Sequence, residues 1–312
     1  MSKFNIAVIG VGGVGGYFGG KLAHAFSPSD SRTNIFFVAR GNHLEEIKKN
    51  GIIVKSPEFG SLTGRPALAT ERIDDLPPID VFLICVKGYD LKGVATSLGN
   101  RIRDDSMIMT PLNGADIRER LRGEIKTGII FPACVYVTCH IEDPGVVAHA
   151  GKPGKIIFGR DPDHPNTIPH ELFRVFEESS IDYEWQDDAH PAIWEKYLFI
   201  ASFGLVSARH DRTLGEILED PSLRKETVEI MNEIYSIALR KNIKLPDGIV
   251  DLSLRKAAAF PNNTQTSLQR DIRQKKGKSE LDLFGGTIID LGEKLGVRTP
   301  ATKKIYKELE GI

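Results

Sequence analysis

The chain has 312 residues, a formal net charge of -1 at pH 7 and a hydrophobic fraction of 41%. A chain of this length exceeds most single domains, so we expect two domains with a sizeable core. A net charge so close to zero gives no electrostatic reason to expect nucleic acid or an anionic membrane as the partner, and it favours a small molecule.

The cysteines and histidines indicate neither a disulfide framework nor a metal site. Cys85, Cys134 and Cys139 are odd in number, lie in apolar surroundings and have no CxxC or Cys/His spacing. The histidines are scattered without ligand spacing. Because no stretch approaches the roughly 20 apolar residues of a membrane span and the first residues lack signal-peptide features, we expect a cytoplasmic protein.

Short apolar runs that alternate with helical stretches or turns continue to residue 186. Near-continuous apolar runs of this kind are typical of parallel strands covered on both faces. They occupy residues 4–10, 34–40, 80–87, 106–113, 127–137, 155–159 and 181–186. The pattern predicts an α/β, Rossmann-type doubly wound N-terminal domain over residues 1–188.

Beyond this domain the strand signals fade and helical periodicity replaces them. Apolar residues recur at 3.6-residue spacing in residues 192–208, 223–242 and 281–296. Segments with proline, glycine or asparagine separate these stretches. We therefore predict an all-helical C-terminal domain over residues 189–312. A short basic run at residues 273–278 is interpreted as a solvated loop.

A glycine-rich turn follows the first predicted strand. Gly10, Gly12 and Gly15 fit the pattern G-x-G-x-x-G between a strand and a helix. In such a turn the first glycine permits a tight bend, the second lets the backbone approach a pyrophosphate and the third allows close helix packing. Together with Gly13 and Val14, they predict a dinucleotide site. The alternative is a glycine-rich turn that holds no ligand.

The end of the second predicted strand bears on the choice between NAD and NADP. An acidic residue there would bind the ribose 2′-hydroxyl of NAD, but the segment VARGNH has Arg40 at this place. A guanidinium matches a 2′-phosphate, so Arg40 favours NADP(H). A polar insertion at residues 27–34 makes the usual spacing from the glycine-rich turn to this position hard to count. The alternative is that Arg40 is an ordinary surface arginine. His43 is close to Arg40 in the sequence.

Two further strand ends face the same edge of the predicted sheet, one at Lys87 and one at Asn113. Ligands of such sheets bind outside the carboxyl ends of the strands. Lys87 could bind a phosphate or a substrate carboxylate there, and Asn113 a nicotinamide amide or a substrate oxygen. Both are also ordinary loop residues, since Asn-Gly is a common turn pair.

The predicted helix at residues 192–208 contains two charged residues, Glu195 and Lys196. A rotation of about 100° per residue puts Ile200, Gly204 and Ser207 on roughly the same face as Lys196. We expect partial desolvation of this lysine, which lowers its pKa and makes its ammonium group a better proton donor. The alternative is a lysine whose stem packs while its ammonium group reaches water.

Polar residues also lie near the ends of later predicted helices. They are Ser267, Asp271 and Glu280. Serine and glutamate at such places usually cap helices. A role of Ser267 in binding a carboxylate, or of Glu280 in ordering Lys196, has no support from these residues alone.

The ordered set of these segments is more specific than any one motif. It consists of IGVGGVGGYFGGKLA, VARGNHLEEIKKNGI, CVKGYD, PLNG, WEKYLFIASFG, TLGE and TSLQRDI followed by SELD. Over nearly the whole chain it resembles the ketopantoate reductase (2-dehydropantoate 2-reductase) family. The resemblance implies an NADP-dependent enzyme that reduces ketopantoate to pantoate on the way to pantothenate and coenzyme A. It also implies an active site between the two domains, and often a dimer.

The resemblance also implies roles for single residues. Residues that contact the cofactor would be the glycine-rich turn, Arg40, Lys87, Asn113 and Glu280. For the substrate, it implies contacts from Asn113, Lys196 and Ser267, the last of these to the carboxylate. Lys196 would be the general acid that protonates the alkoxide formed by hydride transfer. Glu280 would belong to the same catalytic network.

Three positions depart from the family pattern: Ile200, Gly204 and Gly285, the last of which stands where members often have an asparagine. Members commonly have asparagines one and two turns after the lysine, where this chain has Ile200 and Gly204. Each lost hydrogen bond to a buried group costs roughly 1–3 kcal/mol, which is enough to change the preferred substrate and leave the hydride chemistry intact. Two alternatives therefore stay open: a reductase of another branched 2-oxo acid, and a catalytically silent NADP-binding protein.

Overall fold

The computed structural model describes residues 3–26, 32–274 and 278–310. Residues 27–31 of the polar insertion and residues 275–277 of the basic run lie outside the described residues. The chain forms two compact units. The first comprises Met1–Leu112 and Ile117–Ala189, and the second comprises Asn113–Asp116 and His190–Ile312.

All strands of the described chain belong to the first unit. In chain order they are β1 (Phe4–Ile9), β2 (Thr33–Val38), β3 (Ile52–Ser56), β4 (Gly60–Gly64), β5 (Leu68–Thr70), β6 (Val81–Ile84), β7 (Met107–Met109), β8 (Ile129–Phe131), β9 (Ala133–Asp143), β10 (Val146–Gly159) and β11 (Asp182–Gln186). The first unit also contains the helices α1 (Gly13–Ala25), α2 (Gly41–Asn50), α3 (Leu91–Leu98), α4 (Ile117–Glu124) and α5 (His170–Glu178).

A six-stranded sheet with the order β5-β2-β1-β6-β7-β8 positions the candidate cofactor residues. Every pairing in this sheet is parallel. From β1 the chain continues to β2 on one side and later to β6 on the other, so the switch point of the sheet lies beside β1. The prediction of a Rossmann-type doubly wound domain is confirmed.

A second sheet, with the order β11-β10-β3-β4 and with β9 paired to β10, is mixed. Strand β10 is antiparallel to β9 and parallel to β3 and β11. The prediction of one strand over residues 127–137 is wrong, because the chain leaves the first sheet after Phe131 and enters β9 at Ala133. Pro132 separates the two strands and has no N–H group for a ladder.

Helix α1 packs at a distance that only glycine permits. A Cβ atom at Gly16 would lie 2.5 Å from Val147 Cγ2, and one at Gly20 would lie 2.4 Å from Val54 Cγ2. Real Cβ atoms essentially never approach other atoms so closely. The glycines after the predicted cofactor turn therefore bring α1 onto the second sheet.

The second unit is helical in its described residues. Its helices are α6 (His190–His210), α7 (Leu214–Glu219), α8 (Pro221–Arg240), α9 (Ile249–Ala258), α10 (Ser267–Arg273), α11 (Thr287–Leu295) and α12 (Pro300–Leu309). Helix α6 packs against α8, α10 and α12, and most of its residues are buried. A helix that is apolar on nearly all sides is expected at the centre of such a bundle.

The prediction of one regular helix over residues 281–296 is wrong in its first part. Residues Asp282–Gly286 form a π-helical turn, and α11 follows it. A Cβ atom at Gly285 would lie 2.5 Å from Tyr306 Cδ2, so the absence of a side chain lets α12 approach this turn. Single π-helical turns inside helices occur frequently at functional sites. None of the helices in the described part of the chain combines the length and apolarity that a transmembrane span needs.

Candidate functional site

The glycine-rich turn between β1 and α1 has the geometry of a dinucleotide site. Gly10 has φ +89°, and a Cβ atom at Gly15 would lie 2.1 Å from the Gly10 carbonyl oxygen. Both positions therefore require glycine. A Cβ atom at Gly12 would meet nothing within 4 Å, which leaves space for a ligand beside the backbone. Gly10 and Gly15 are thus needed for the turn itself, whereas Gly12 leaves open space beside the backbone.

The amino end of α1 is suited to an anion. Gly12 is the N-cap, no side chain caps this end, and the first turn contains no acidic residue. The N–H groups of Gly13, Val14 and Gly15 lie in this first turn, where the helix dipole favours negative charge. These residues fit the pyrophosphate of a nicotinamide dinucleotide.

Arg40 and Lys87 lie at the same edge of the first sheet as the glycine-rich turn. Arg40 follows β2, and its side chain is 73% exposed, with Nη2 donating to Asp90 Oδ2 at 2.8 Å. Lys87 follows β6, is exposed, and precedes a 3₁₀ turn at Gly88–Asp90. The carboxyl ends of β1, β2 and β6 therefore bring together the predicted cofactor residues of this unit. Their contacts with a cofactor stay predictions.

His43 is held by the turn between β9 and β10. Its Nδ1 atom accepts a hydrogen bond of 2.9 Å from the N–H group of Gly145. Burial lowers the pKa of His43 below its usual value, which favours the neutral ring. Both observations give this residue a structural role in the first unit.

Lys196 and Asn113 lie together in the second unit. Lys196 is 9% exposed on α6, and its Nζ atom donates to Asn113 Oδ1 at 2.8 Å. Asn113 begins the short segment Asn113–Asp116, in which Asp116 Oδ1 accepts a hydrogen bond of 3.3 Å from Thr287 Oγ1. The expected burial of the lysine is present, and its role as general acid stays a prediction.

The face of α6 is apolar over the two turns that follow Lys196. Ile200 is half-buried and Gly204 is buried. A Cβ atom at Gly204 would lie 3.8 Å from Leu268 Cβ and 3.8 Å from Phe284 Cδ2, which is ordinary van der Waals contact. Sequence reasoning missed Leu268 and Phe284, because only tertiary contacts bring α10 and the π-helical turn to this face.

Thr266, and not Ser267, caps α10. Thr266 Oγ1 accepts a hydrogen bond of 3.2 Å from the N–H group of Gln269 and lies 2.6 Å from Ser207 Oγ. Ser267 is the first residue of the helix and is half-buried. The alternative interpretation of Ser267 as a cap is therefore wrong. Its role as a carboxylate ligand stays a prediction.

Glu280 lies at the start of the π-helical turn. Its side chain is 5% exposed, and its carbonyl oxygen accepts a hydrogen bond of 3.0 Å from the N–H group of Phe284. Phe284 in turn faces Gly204 on α6. Glu280 is therefore one turn away from the apolar face, and its place in the catalytic network stays a prediction. Asp271 lies within α10 and is half-buried.

Cys85, Cys134 and Cys139 are in the thiol form in the structure. Burial raises the pKa of Cys139 to about 12 and also raises that of Cys85. Thiols with such pKa values are poor nucleophiles at neutral pH. In the part of the chain that the structure describes, no group of His, Cys, Asp or Glu side chains could hold a metal ion.

Solved structures of other proteins share this fold. The structure of 2-dehydropantoate 2-reductase from Porphyromonas gingivalis W83 is 26% identical, has a TM-score of 0.81, and the match covers 99% of this chain and 100% of the other. D-mandelate dehydrogenase, solved with NADH and anilino(oxo)acetate, is 18% identical with a TM-score of 0.83. That match covers 99% of this chain and 98% of the other.

Sequence comparisons identify the family. The uncharacterized oxidoreductase YkpB of Bacillus subtilis (strain 168) is 26% identical over 307 residues, which cover 97% of each chain. The family model described as "Ketopantoate reductase PanE/ApbA" matches residues 6–163. The model described as "Ketopantoate reductase PanE/ApbA C terminal" matches residues 188–312. The two models together cover most of the sequence, and the chain therefore belongs to the ketopantoate reductase family of oxidoreductases.

Proposed function

We propose that the protein reduces the 2-oxo group of ketopantoate to the alcohol of pantoate with NADPH, in the cytoplasm, as a step towards pantothenate and coenzyme A. One observation carries this proposal: in a member of the ketopantoate reductase family, the buried Lys196 donates a hydrogen bond from its ammonium group to Asn113. A homodimer is part of the same proposal.

The first unit would hold the cofactor. The N–H groups at the start of α1 would bind the pyrophosphate over the open space at Gly12. Arg40 would bind the 2′-phosphate, and Lys87 would contribute a second positive charge at the same edge. When bound, the nicotinamide supplies the hydride for the carbonyl carbon.

The second unit would hold the substrate and supply the proton. Lys196 would donate a proton from Nζ to the developing alkoxide. This transfer leaves a neutral amine, and a charged group is costly to bury. Asn113 Oδ1 would orient that ammonium group through the 2.8 Å hydrogen bond. The hydroxyl of Ser267 would bind the substrate carboxylate, and Glu280 would contact the cofactor and Lys196.

A second candidate function is the reduction of a branched 2-oxo acid without a hydroxyl group. Ile200, Leu268 and Phe284 offer carbon atoms and no donors along the face beyond Lys196. A buried hydroxyl without a partner costs binding free energy, whereas an alkyl group does not. The similarity in fold to D-mandelate dehydrogenase is compatible with a 2-oxo acid of different side chain.

One assay separates these candidates. NADPH oxidation is followed with ketopantoate and with 3,3-dimethyl-2-oxobutanoate, which lacks only the hydroxyl group, with NADH in parallel. A kcat/KM about 100-fold higher for ketopantoate supports the first proposal, since a site built for the hydroxyl rejects the analogue. Equal or reversed values support the second candidate. No turnover with any 2-oxo acid, together with tight NADPH binding, contradicts both.

A further inference from the structure

We propose that Asp90 is a positioning residue that holds Arg40 over the glycine-rich turn and so strengthens the preference for NADP over NAD. This role rests on the proposed function only through the cofactor. Neither residue type nor sequence spacing pointed to Asp90, which lies 50 residues after Arg40.

The Arg40–Asp90 ion pair joins two residues that follow strands on opposite sides of β1. Arg40 follows β2 and Asp90 follows β6, and β1 lies between these two strands in the sheet. Neighbouring strands are about 4.8 Å apart, so the backbones at the ends of β2 and β6 are about 10 Å apart. The Arg40 Nη2 atom nevertheless lies 2.8 Å from Asp90 Oδ2. The Arg40–Asp90 ion pair therefore joins the segment after β2 to the segment after β6, on either side of β1, and the glycine-rich turn begins at the carboxyl end of β1.

Asp90 is the better fixed of the two partners. Its side chain is 24% exposed, against 73% for Arg40. Asp90 ends the 3₁₀ turn, its N–H group donates to the Lys87 carbonyl oxygen at 2.9 Å, and it is the N-cap of α3. Asp90 can therefore hold the longer and more exposed arginine in place.

The pair leaves Arg40 able to bind a phosphate. The bond to Asp90 uses Nη2, and the guanidinium has further donors on Nε and Nη1. Two effects oppose each other when a 2′-phosphate binds. The Asp90 carboxylate repels the phosphate, but it also removes the rotamer freedom that a long side chain would otherwise lose on binding. Because Arg40 is 73% exposed, water weakens this repulsion, and in our proposal the ordering effect is the larger of the two.

Binding of NADPH and NADH to the whole protein tests this role without any turnover. The two cofactors differ only in the 2′-phosphate, and their dissociation constants are measured by fluorescence for the wild type and for Asp90→Ala and Asp90→Asn. We expect Asp90→Ala to weaken NADPH binding about fivefold and to leave NADH binding unchanged, since an unrestrained arginine must be ordered by the ligand. Asp90→Asn, which still offers an oxygen to Nη2, stays within about twofold of the wild type.

Two further variants make the test specific. In an Arg40→Ala background, Asp90→Ala has no further effect if Asp90 acts through Arg40. Asp105 is the matched control, because it pairs with Arg103 Nε at 2.9 Å just before β7, at the opposite edge of the sheet. Asp105→Ala changes neither dissociation constant.

Each other outcome has a definite meaning. Equal weakening of NADPH and NADH by Asp90→Ala gives Asp90 a purely structural role and overturns the proposal. An unchanged or higher NADPH preference in Asp90→Ala also overturns it. If the wild type binds NADPH no better than NADH, the proposed NADPH dependence is wrong and the role of Asp90 is wrong with it.

Discussion

At the scale of single residues, Lys196 and Gly12 represent the two proposed tasks of this chain, proton transfer and cofactor binding. Lys196 is buried, and a neutral amide oxygen of Asn113 holds its ammonium group. Gly12 leaves free space where every other residue type would place a Cβ atom. Because Lys196 is proposed to act in proton transfer and Gly12 in cofactor binding, we expect their variants to fail in different assays.

Replacement of Lys196 by alanine removes the proposed proton donor. We expect kcat for the preferred 2-oxo acid to fall by about 10²- to 10⁴-fold, the usual contribution of general acid catalysis. NADPH binding, measured by fluorescence, stays within about twofold, because Lys196 is not assigned to the cofactor. Lys225→Ala on the exposed side of α8 is the control. A Lys196→Ala enzyme with more than half of the wild-type kcat excludes Lys196 as the general acid.

The glycine-rich turn gives a matched pair of alanine variants. Gly12→Ala fills open space, so we expect an unchanged unfolding free energy and NADPH binding at least about tenfold weaker, since the methyl group occupies the space proposed for the pyrophosphate. Gly15→Ala forces a Cβ atom against the Gly10 carbonyl oxygen, so we expect a loss of about 3 kcal/mol in unfolding free energy. Chemical unfolding and fluorescence titration measure both effects. Equal effects of the two variants on binding and stability would contradict this separation.

At the scale of elements, one face of α6 contains both Lys196, the proposed proton donor, and the apolar residues that are proposed to face the substrate side chain. Ile200 lies one turn after Lys196, and Gly204 lies two turns after it, beside Leu268 and Phe284. A helix presents residues at this spacing on a single face. Side-chain specificity can therefore change on this face while the reacting group stays in place.

Ile200→Asn introduces a donor one turn from Lys196. We expect the ratio of kcat/KM for ketopantoate over 3,3-dimethyl-2-oxobutanoate to rise at least about fivefold, because the substrate hydroxyl gains a hydrogen bond. Ile200→Val is the matched control and leaves the ratio unchanged. A ratio that Ile200→Asn does not raise would show that the substrate side chain lies away from this face.

Asp161 fixes α4 to the segment after β10 in the first unit. Its carboxylate is fully buried and accepts hydrogen bonds from Arg118 Nη2 at 2.7 Å, Arg122 Nη2 at 2.8 Å and His164 Nδ1 at 2.8 Å. Burial alone would raise the pKa of Asp161, but the bonds from His164, Arg118 and the N–H group of Ile130 outweigh it and lower the pKa to about 2. This carboxylate is therefore one source of acid sensitivity.

The lowered pKa defines a pH window. The contribution of Asp161 is fully present above the unfolded pKa near 3.8 and is lost as the pH falls towards 2. A shift of this size corresponds to about 2 kcal/mol of unfolding free energy. We expect the stability difference between wild type and Asp161→Asn, measured by urea unfolding, to narrow by about that amount between pH 5 and pH 2. A difference that stays constant over this range would contradict the assignment.

At the scale of the whole molecule, binding of the proposed cofactor should be visible as thermal stabilisation. A ligand that binds only the folded protein adds about 2.7 kcal/mol at 100 times its dissociation constant. We expect NADPH to raise the midpoint of the first thermal transition more than NADH at equal concentration, measured by calorimetry. An equal shift with both cofactors contradicts the 2′-phosphate contact of Arg40.

Sequence reasoning predicted the parts of the fold that depend on local pattern. Buried parallel strands appear as apolar runs, and the helices of the second unit as 3.6-residue periodicity. Strands β3 and β4 were missed, because in these strands buried and exposed residues are interspersed and the apolar run is short. The break after Phe131 and the π-helical turn were also missed, since tertiary packing determines them.

The candidate site follows the same division. Strand ends placed the glycine-rich turn, Arg40 and Lys87 at one edge of the sheet, because a general rule governs where such sheets bind ligands. The partner of Arg40 and the apolar neighbours of Gly204 depend on contacts across many residues of sequence. A single sequence does not contain these contacts in any readable pattern.

The segment Asn113–Asp116 belongs to the second unit although residues of the first unit precede and follow it. The covalent chain therefore passes between the two units three times, after residues 112, 116 and 189. If two related genes recombined only at residue 189, the product would combine Asn113 of one parent with the lysine at position 196 of the other. Exchange of the complete helical unit between relatives thus requires two further crossovers, after residues 112 and 116. The hydrogen bond between Asn113 and Lys196 therefore limits how freely the two units can be exchanged in evolution.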